Sequence, residues 1–325
     1  MAPKMSLPIL YVSRLLPEPV MAALRARFHP ASEPQASPPG REALLAGLRD
    51  ADAAICTLTE RIDREVLDAA PKLRIIANYA VGYNNIDVDA AKAKGVIVTN
   101  TPDVLTDATA DLTWALLLAA ARRIPEGHQL VQQGGWIGWE PTQLLGAEVY
   151  GKTLGIIGMG RIGQAVAQRA VGFNMPIFYC NSSGKAVAQP GHGPPWRRVP
   201  LHELLAGSDF ISLHVPLTDG TRHLIGAAEL HSMRPSAILL NTSRGPVIDE
   251  AALAQALREG RLAGAGLDVY EREPAVHEAL HGLPHVVTLP HLGSATMTAR
   301  VKMGLLCLEN VTAVLEGRPA PNQVA

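Results

Sequence analysis

Arg244, Glu273 and His291 each follow one of three successive apolar, strand-like runs in the last third of the chain. Arg244 comes just after the run ending at Asn241, in Thr242-Ser243-Arg244-Gly245. The next run, beginning at Gly264, is followed by Asp268, Glu271 and Glu273, and His291 follows the run Val286 to Pro290. In an open parallel sheet, ligands bind beyond the carboxyl ends of the strands. There a guanidinium clamps a carboxylate and a carbonyl oxygen, an imidazole supplies a proton, and a neighbouring carboxylate keeps that imidazole charged. Together, as catalytic residues, the three suit reduction of a 2-keto acid. Singly, each has a plainer explanation. The chain has 11 histidines, most of which should serve packing or the surface; Arg244 can cap a strand end, and Glu273 can be a solvated loop charge. What sets the three apart is their shared position.

The elements that would position them include a nucleotide turn. Thr153 to Ile157 reads as a buried strand, and Gly158-Met159-Gly160-Arg161-Ile162-Gly163 links it to an amphipathic helix. Gly158 suits the tight turn, Gly160 lets backbone N–H groups approach a pyrophosphate, and Gly163 lets the helix that starts near Arg161 and Ile162 pack closely. The helix N-terminus then faces the phosphates. A second strand, Pro176 to Cys180, would ordinarily end in an acidic residue for the ribose 2′-OH of NAD. Here Asn181, Ser182 and Ser183 follow instead, and no acidic residue occurs between Gly163 and Glu203. Those three can donate hydrogen bonds to phosphate, and Lys185, Arg197 and Arg198 add charge. NADP is therefore expected over NAD; the alternative is a plain surface turn and NAD bound without a carboxylate.

A chain of 325 residues exceeds the size at which one core keeps growing, so two domains are expected. A formal net charge of -1 gives no electrostatic case for nucleic acid or an anionic membrane. The longest apolar run, Trp114 to Ala121, is well short of the ~20 residues of a membrane span, and the N-terminus lacks a signal-peptide core. The expectations are a small-molecule partner and a cytoplasmic location. The three cysteines, Cys56, Cys180 and Cys307, have no metal spacing, so neither a metal nor a disulfide is expected.

Apolar runs alternate with helical patterns along the chain, which predicts an α/β fold. The expected architecture is two doubly wound parallel-sheet domains, a Rossmann nucleotide-binding domain and a flavodoxin-like substrate domain, with an interdomain cleft. In the first, strands are predicted near Ile9 to Ser13, Ala53 to Thr57, Arg74 to Ala80 and Val96 to Asn100, with a loop over Ala31 to Gly40. A long apolar helix runs from Thr109 to Arg123, followed by a Gly- and Trp-containing linker. The second unit reads as a six-stranded sheet from Thr153 to Pro290. Ala295 to Glu316 is one helical pattern with no further strand to serve, so it is expected to return to the first domain. The predicted domains are residues 1–102, completed by 294–325, and residues 103–293.

The residues also carry a family resemblance. Asn241-Thr242-Ser243-Arg244-Gly245-Pro246-Val247-Ile248-Asp249-Glu250, Gly266-Leu267-Asp268-Val269-Tyr270-Glu271-Arg272-Glu273-Pro274 and Pro290-His291-Leu292-Gly293-Ser294-Ala295-Thr296 resemble the signatures of the D-isomer-specific 2-hydroxyacid dehydrogenases. The likeness extends to Asn78 to Asp87 and to Asp107 to Leu112. The linker Trp136-Ile137-Gly138-Trp139-Glu140-Pro141 is most similar to that of the glyoxylate and hydroxypyruvate reductases within the family. The resemblance implies that Arg244 orients substrate, that His291 is the acid or base, and that Glu273 is its partner. It gives Asp268 the nicotinamide carboxamide, and gives Thr109, His214, Val215, Pro216, Thr242 and Ser243 cofactor contacts. Backbone N–H groups at Val81 and Gly82 would bind the substrate carboxylate, with Leu58 as a wall. NADP-using members often carry an Arg beside the Asn at the second strand's end, where this chain has Ser182.

The family also implies a homodimer, in which the long helix and the linker embrace the partner and Trp139 reaches over the active-site mouth. Leu116, Leu117 and Leu118 suit that role or an ordinary core. The reaction expected is NADPH-dependent reduction of glyoxylate or hydroxypyruvate. The alternatives are an NAD-linked dehydrogenase of a larger 2-hydroxy acid and a nucleotide-sensing protein without turnover, since fold alone does not fix function.

Overall fold

The computed structural model describes residues 7–182, 184 and 186–324; Ser183 and Lys185, both expected at a phosphate, lie outside them. The chain divides into two compact units, with boundaries after Leu105 and after Gly293. The first contains β1 (Ile9–Val12), α1 (Glu18–Arg25), β2 (His29–Pro30), α2 (Arg41–Leu48), β3 (Ala53–Cys56), α3 (Arg64–Asp68), β4 (Ile75–Asn78), α4 (Val88–Ala93) and β5 (Ile97–Thr99). Among the described residues its sheet has five parallel strands in the order β2-β1-β3-β4-β5, the flavodoxin-like arrangement. The central strands are buried without alternation because helices cover both faces.

The second unit begins with α5 (Thr106–Ala121) and α6 (Ile124–Gln132). It continues through β6 (Leu154–Ile157), α7 (Arg161–Arg169), β7 (Ile177–Cys180), β8 (Trp196–Arg198), α8 (Leu201–Gly207), β9 (Phe210–Leu213), α9 (Ala227–Ser232), β10 (Ile238–Asn241), α10 (Glu250–Arg258), β11 (Gly264–Leu267) and β12 (Val286–Thr288). Its parallel sheet runs β12-β11-β10-β9-β6-β7-β8. That is a Rossmann order with seven strands rather than the expected six. The addition is β8 on the edge, only Trp196-Arg197-Arg198 and set between prolines, too short and too charged to read as a strand. α6 is a second departure: Arg123 takes a left-handed φ of 54° and ends α5, and Pro125 starts a new helix where a linker was expected. Leu116 and Leu117 are 1% and 0% exposed, in the core with Trp114 and Leu240, so core and not interface is their place.

α11 (Met297–Leu315) packs on β3, β4 and α1 and completes the first unit. Arg74 donates to the Val314 and Leu315 carbonyls at its C-terminus, and the Tyr79 hydroxyl donates to the Arg300 carbonyl.

Candidate active site

Register decides what can meet what in the second unit. Cys180, Ile157, Leu213, Asn241, Leu267 and Thr288 pair in one row across six neighbouring strands. The next residue of each chain segment is Asn181, Gly158, His214, Thr242, Asp268 and Leu289, so one step past this row leads into every loop with candidate chemistry. At Gly158, φ is 98° and an added Cβ would stand 2.6 Å from the His214 carbonyl group, so only glycine fits between the two loops. Gly160 caps α7, and nothing lies within 4 Å of where its Cβ would be. That open space, at a helix N-terminus, is where a pyrophosphate fits. Ile162 packs its side chain on the core, and Arg161 is exposed. After β7, Asn181 is half-buried and Ser182 is exposed. Arg197, offered by the sequence as a phosphate partner, is instead paired with the Glu203 carboxylate and stacked over Phe178.

Asp268 organises the opposite end. It is fully buried and receives three consecutive backbone N–H groups: His291 N on its carbonyl at 3.0 Å, Leu292 N on Oδ1 at 2.6 Å and Gly293 N on Oδ2 at 2.8 Å. Burial, opposed by those N–H groups and by His291, raises its pKa. Its own N–H donates to the Asn241 carbonyl. Asn241 in turn accepts from Ser243 N and Oγ through Oδ1 and donates through Nδ2 to the Arg244 carbonyl. The loops after β10, β11 and β12 are thus one hydrogen-bonded assembly.

On it, His291 Nδ1 lies 2.7 Å from Glu273 Oε2, with both side chains about three-quarters covered. His291 has a φ of 56°, a conformation the Asp268 contacts impose. Burial would raise the Glu273 pKa, but the hydrogen bond and charge of His291 outweigh it and hold the carboxyl below its ordinary value. Burial lowers the Arg244 pKa, against the field of Glu273, and a guanidinium stays charged regardless. Arg244 Nη1 donates to the Ser243 carbonyl. A Cβ on Gly245 would fall 1.8 Å from the Tyr270 carbonyl carbon, so the Arg244 loop lies directly on the strand end that leads to Glu273.

Several residues the sequence did not single out hold this arrangement. Glu250 N donates to Glu271 Oε1 at 2.9 Å while Glu271 N donates to Glu250 Oε1 at 2.6 Å, a reciprocal clasp between α10 and the loop before Glu273. His223 Nε2 is 3.1 Å from Glu271 Oε2. Thr109, expected at the cofactor, donates to the Gly293 carbonyl, and Thr113 donates to the Thr109 carbonyl and meets the Thr242 hydroxyl at 2.9 Å. Beside the nucleotide turn, burial pushes the His214 imidazole down to about 3, so it is neutral, with Nε2 2.8 Å from Ser212 Oγ. Val215 is half-buried and Pro216 exposed.

Comparison with known proteins fits this geometry. The family described as "D-isomer specific 2-hydroxyacid dehydrogenase, NAD binding domain" matches residues 114–293. A glyoxylate reductase of Thermococcus gammatolerans is 50% identical over 98% of this chain and 96% of its own. The chain belongs to the D-2-hydroxyacid dehydrogenase family. It is accordingly an NAD(P)-dependent oxidoreductase. The dehydrogenase is also similar to a Thermus thermophilus protein of solved structure, with a TM-score of 0.91 and 44% identity, covering 98% and 100% of the two chains. It resembles the NADPH-dependent glyoxylate/hydroxypyruvate reductase of Sinorhizobium meliloti, solved with NADP and malonate, with a TM-score of 0.87 and 35% identity over 98% and 97%.

In the first unit of the dehydrogenase, Leu58 lies in the turn after β3, and Val81 and Gly82 follow the adjacent β4. Asn85 Nδ2 donates to the Thr57 and Glu60 carbonyls, while Asn78 and Asn100 take the Gly82 and Val81 carbonyls, each at 2.8 Å. Among the described residues, the N–H groups of Val81 and Gly82 have no acceptor. Paired free N–H groups of this kind suit an anion. Trp139 is 82% exposed in the segment after α6.

Proposed function

We propose that this dehydrogenase reduces small 2-keto acids, glyoxylate and hydroxypyruvate, to glycolate and D-glycerate with NADPH. The observation that carries the reading is the 2.7 Å His291–Glu273 pair beside the Arg244 loop, on the same row of strand ends as the nucleotide turn. Its relatives named glyoxylate reductases and the NADP-bound neighbour support it. The open space at Gly160 fits the pyrophosphate, with the backbone of Arg161 and Ile162 at the helix start, and the acid-free turn at Asn181 and Ser182 fits a 2′-phosphate. When bound, the cofactor supplies a hydride to the keto carbon. Nδ1 of His291 faces Glu273, so Nε2 is left to give its proton to the keto oxygen as general acid. Arg244 orients the substrate and stabilises charge on that oxygen. The Val81 and Gly82 N–H groups receive the carboxylate, with Leu58 as a wall. Asp268 retains lone-pair capacity for the nicotinamide carboxamide beside its two backbone donors. The exposed, apolar segment after α6 seats a second copy, making a homodimer, and the setting is the cytoplasm, where NADPH circulates.

The test is loss of NADPH absorbance with glyoxylate and hydroxypyruvate, repeated with NADH. Turnover with NADPH used more efficiently is the expected result. NADPH binding without turnover of any 2-keto acid points to a nucleotide sensor, and NADH preferred points to the NAD-linked alternative.

A further inference from the structure

Strand β8 carries two arginines in succession, and the fold treats them differently. Arg197 pairs in register with Phe178 and Arg198 with Tyr179, so their side chains leave opposite faces of the sheet. Arg197 is spent on Glu203 and the Phe178 ring, 5.3 Å from its centroid. Arg198 goes the other way. Its Nη2 lies 3.6 Å from where a Cβ on Gly184 would stand, in the turn after β7, and its charge is felt by the Cys180 thiol at that strand's end. Among the described residues the Arg198 side chain makes no hydrogen bond or ion pair. The connection that delivers it is tied down, because Val187 N donates to the Tyr179 hydroxyl at 2.9 Å and Trp196 N to Gln189 Oε1 at 3.1 Å.

We infer that Arg198, from the edge strand, is the side chain that selects a 2′-phosphorylated adenosine, reading the phosphate just past β7, beside Asn181, Ser182 and Gly184. This rests on the NADPH reading above and gives it a charged residue. Asn181 and Ser182 bring only neutral donors, and with no acidic residue between Gly163 and Glu203 nothing in that turn opposes a dianion. A guanidinium presents paired donors to phosphate oxygens, which a neutral amide or hydroxyl does not match. Loss of one such charge-assisted contact weakens binding roughly 10- to 100-fold.

Calorimetry with 2′,5′-ADP and with 5′-AMP as probes separates the two readings. The unmodified protein should bind 2′,5′-ADP the more tightly. Arg198→Ala should lose roughly 10- to 100-fold of that affinity while binding 5′-AMP as before. Arg198→Lys should recover part of the loss, and Arg197→Ala should lose little. If the unmodified protein binds both probes alike, the NADPH reading fails and takes this inference with it. If it favours 2′,5′-ADP and Arg198→Ala keeps the preference, or Arg197→Ala loses it equally, Arg198 is not the selecting residue and the NADPH reading stands.

Discussion

His291 occupies a left-handed backbone conformation that costs a non-glycine residue about 1–3 kcal/mol, and the three N–H groups converging on Asp268 offset it. That expenditure aims Nδ1 at Glu273, and Nε2 has no hydrogen-bond partner among the described residues. His291→Ala should therefore lower turnover roughly 10²–10⁴-fold, and Arg244→Ala roughly 10²–10³-fold. NADPH affinity, followed by fluorescence titration, should stay nearly intact in both; a comparable loss of cofactor binding would place either residue in the nucleotide site instead. Glu273→Gln should be milder and should act through pH. Because folding depresses the Glu273 pKa, its ionised form adds stability above the free-carboxylate value of about 4.3, and this is lost as pH falls through the folded value. Through the neutral range the Glu273 side chain is a carboxylate that accepts from Nδ1 of His291. In Glu273→Gln the pH profile of the reduction rate should change, and the stability gap from the unmodified protein should close in acid. An unmoved profile would remove Glu273 from proton transfer. The placement of Arg244, Glu273 and His291 past neighbouring strand ends was legible because each stands a short step past an apolar run. The role of Asp268 as the anchor of the His291 turn was not, because backbone N–H groups leave no mark on residue type.

At the scale of elements, the site follows from one row of register. Strand ends that pair from Cys180 to Thr288 put all the loops at the same level, which a reader of apolar runs can anticipate without knowing the contacts. The Glu250–Glu271 clasp could not be anticipated, since its partners are 21 residues apart and the bonds run to backbone N–H groups. Burial raises the Glu250 pKa, so the clasp holds a carboxylate where water is scarce. Glu250→Ala leaves Glu271 N without its acceptor, and the cost should be about 1–3 kcal/mol in denaturant unfolding. The loop that carries Glu273 should loosen as well, lowering kcat more than it raises KM. Glu250→Gln keeps an acceptor oxygen and should recover most of both. Equal losses in the two variants would mean that charge, rather than an acceptor, is what the position requires. β8 and α6 escaped the sequence for opposite reasons: one is too short and charged to look like a strand, the other starts at a proline directly after a longer helix.

For the whole molecule, the segment from α6 onward is the least satisfied by the chain itself. Ile137 is 89% exposed and Trp139 82%, and α6 buries no residue, a concentration of apolar surface of the kind an interface would cover. Sedimentation should report a dimer. If an indole of one copy limits space at the other's substrate, Trp139→Ala should raise kcat/KM for phenylpyruvate relative to glyoxylate, reading out overpacking of typically ~1–3 kcal/mol. A constant ratio would confine Trp139 to the interface. The placement of α11 has a different kind of outcome, one of order in time. The chain builds the strands of its first unit, then all of the second, and only then the helix whose Met303, Cys307 and Val311 are buried against the first. At ~5–20 residues per second a ribosome spends about 10–40 s on the intervening stretch. During that interval the earlier strands stand roofless, so a nineteen-residue helix translated after the whole of the second unit decides when they are safe from association with other chains.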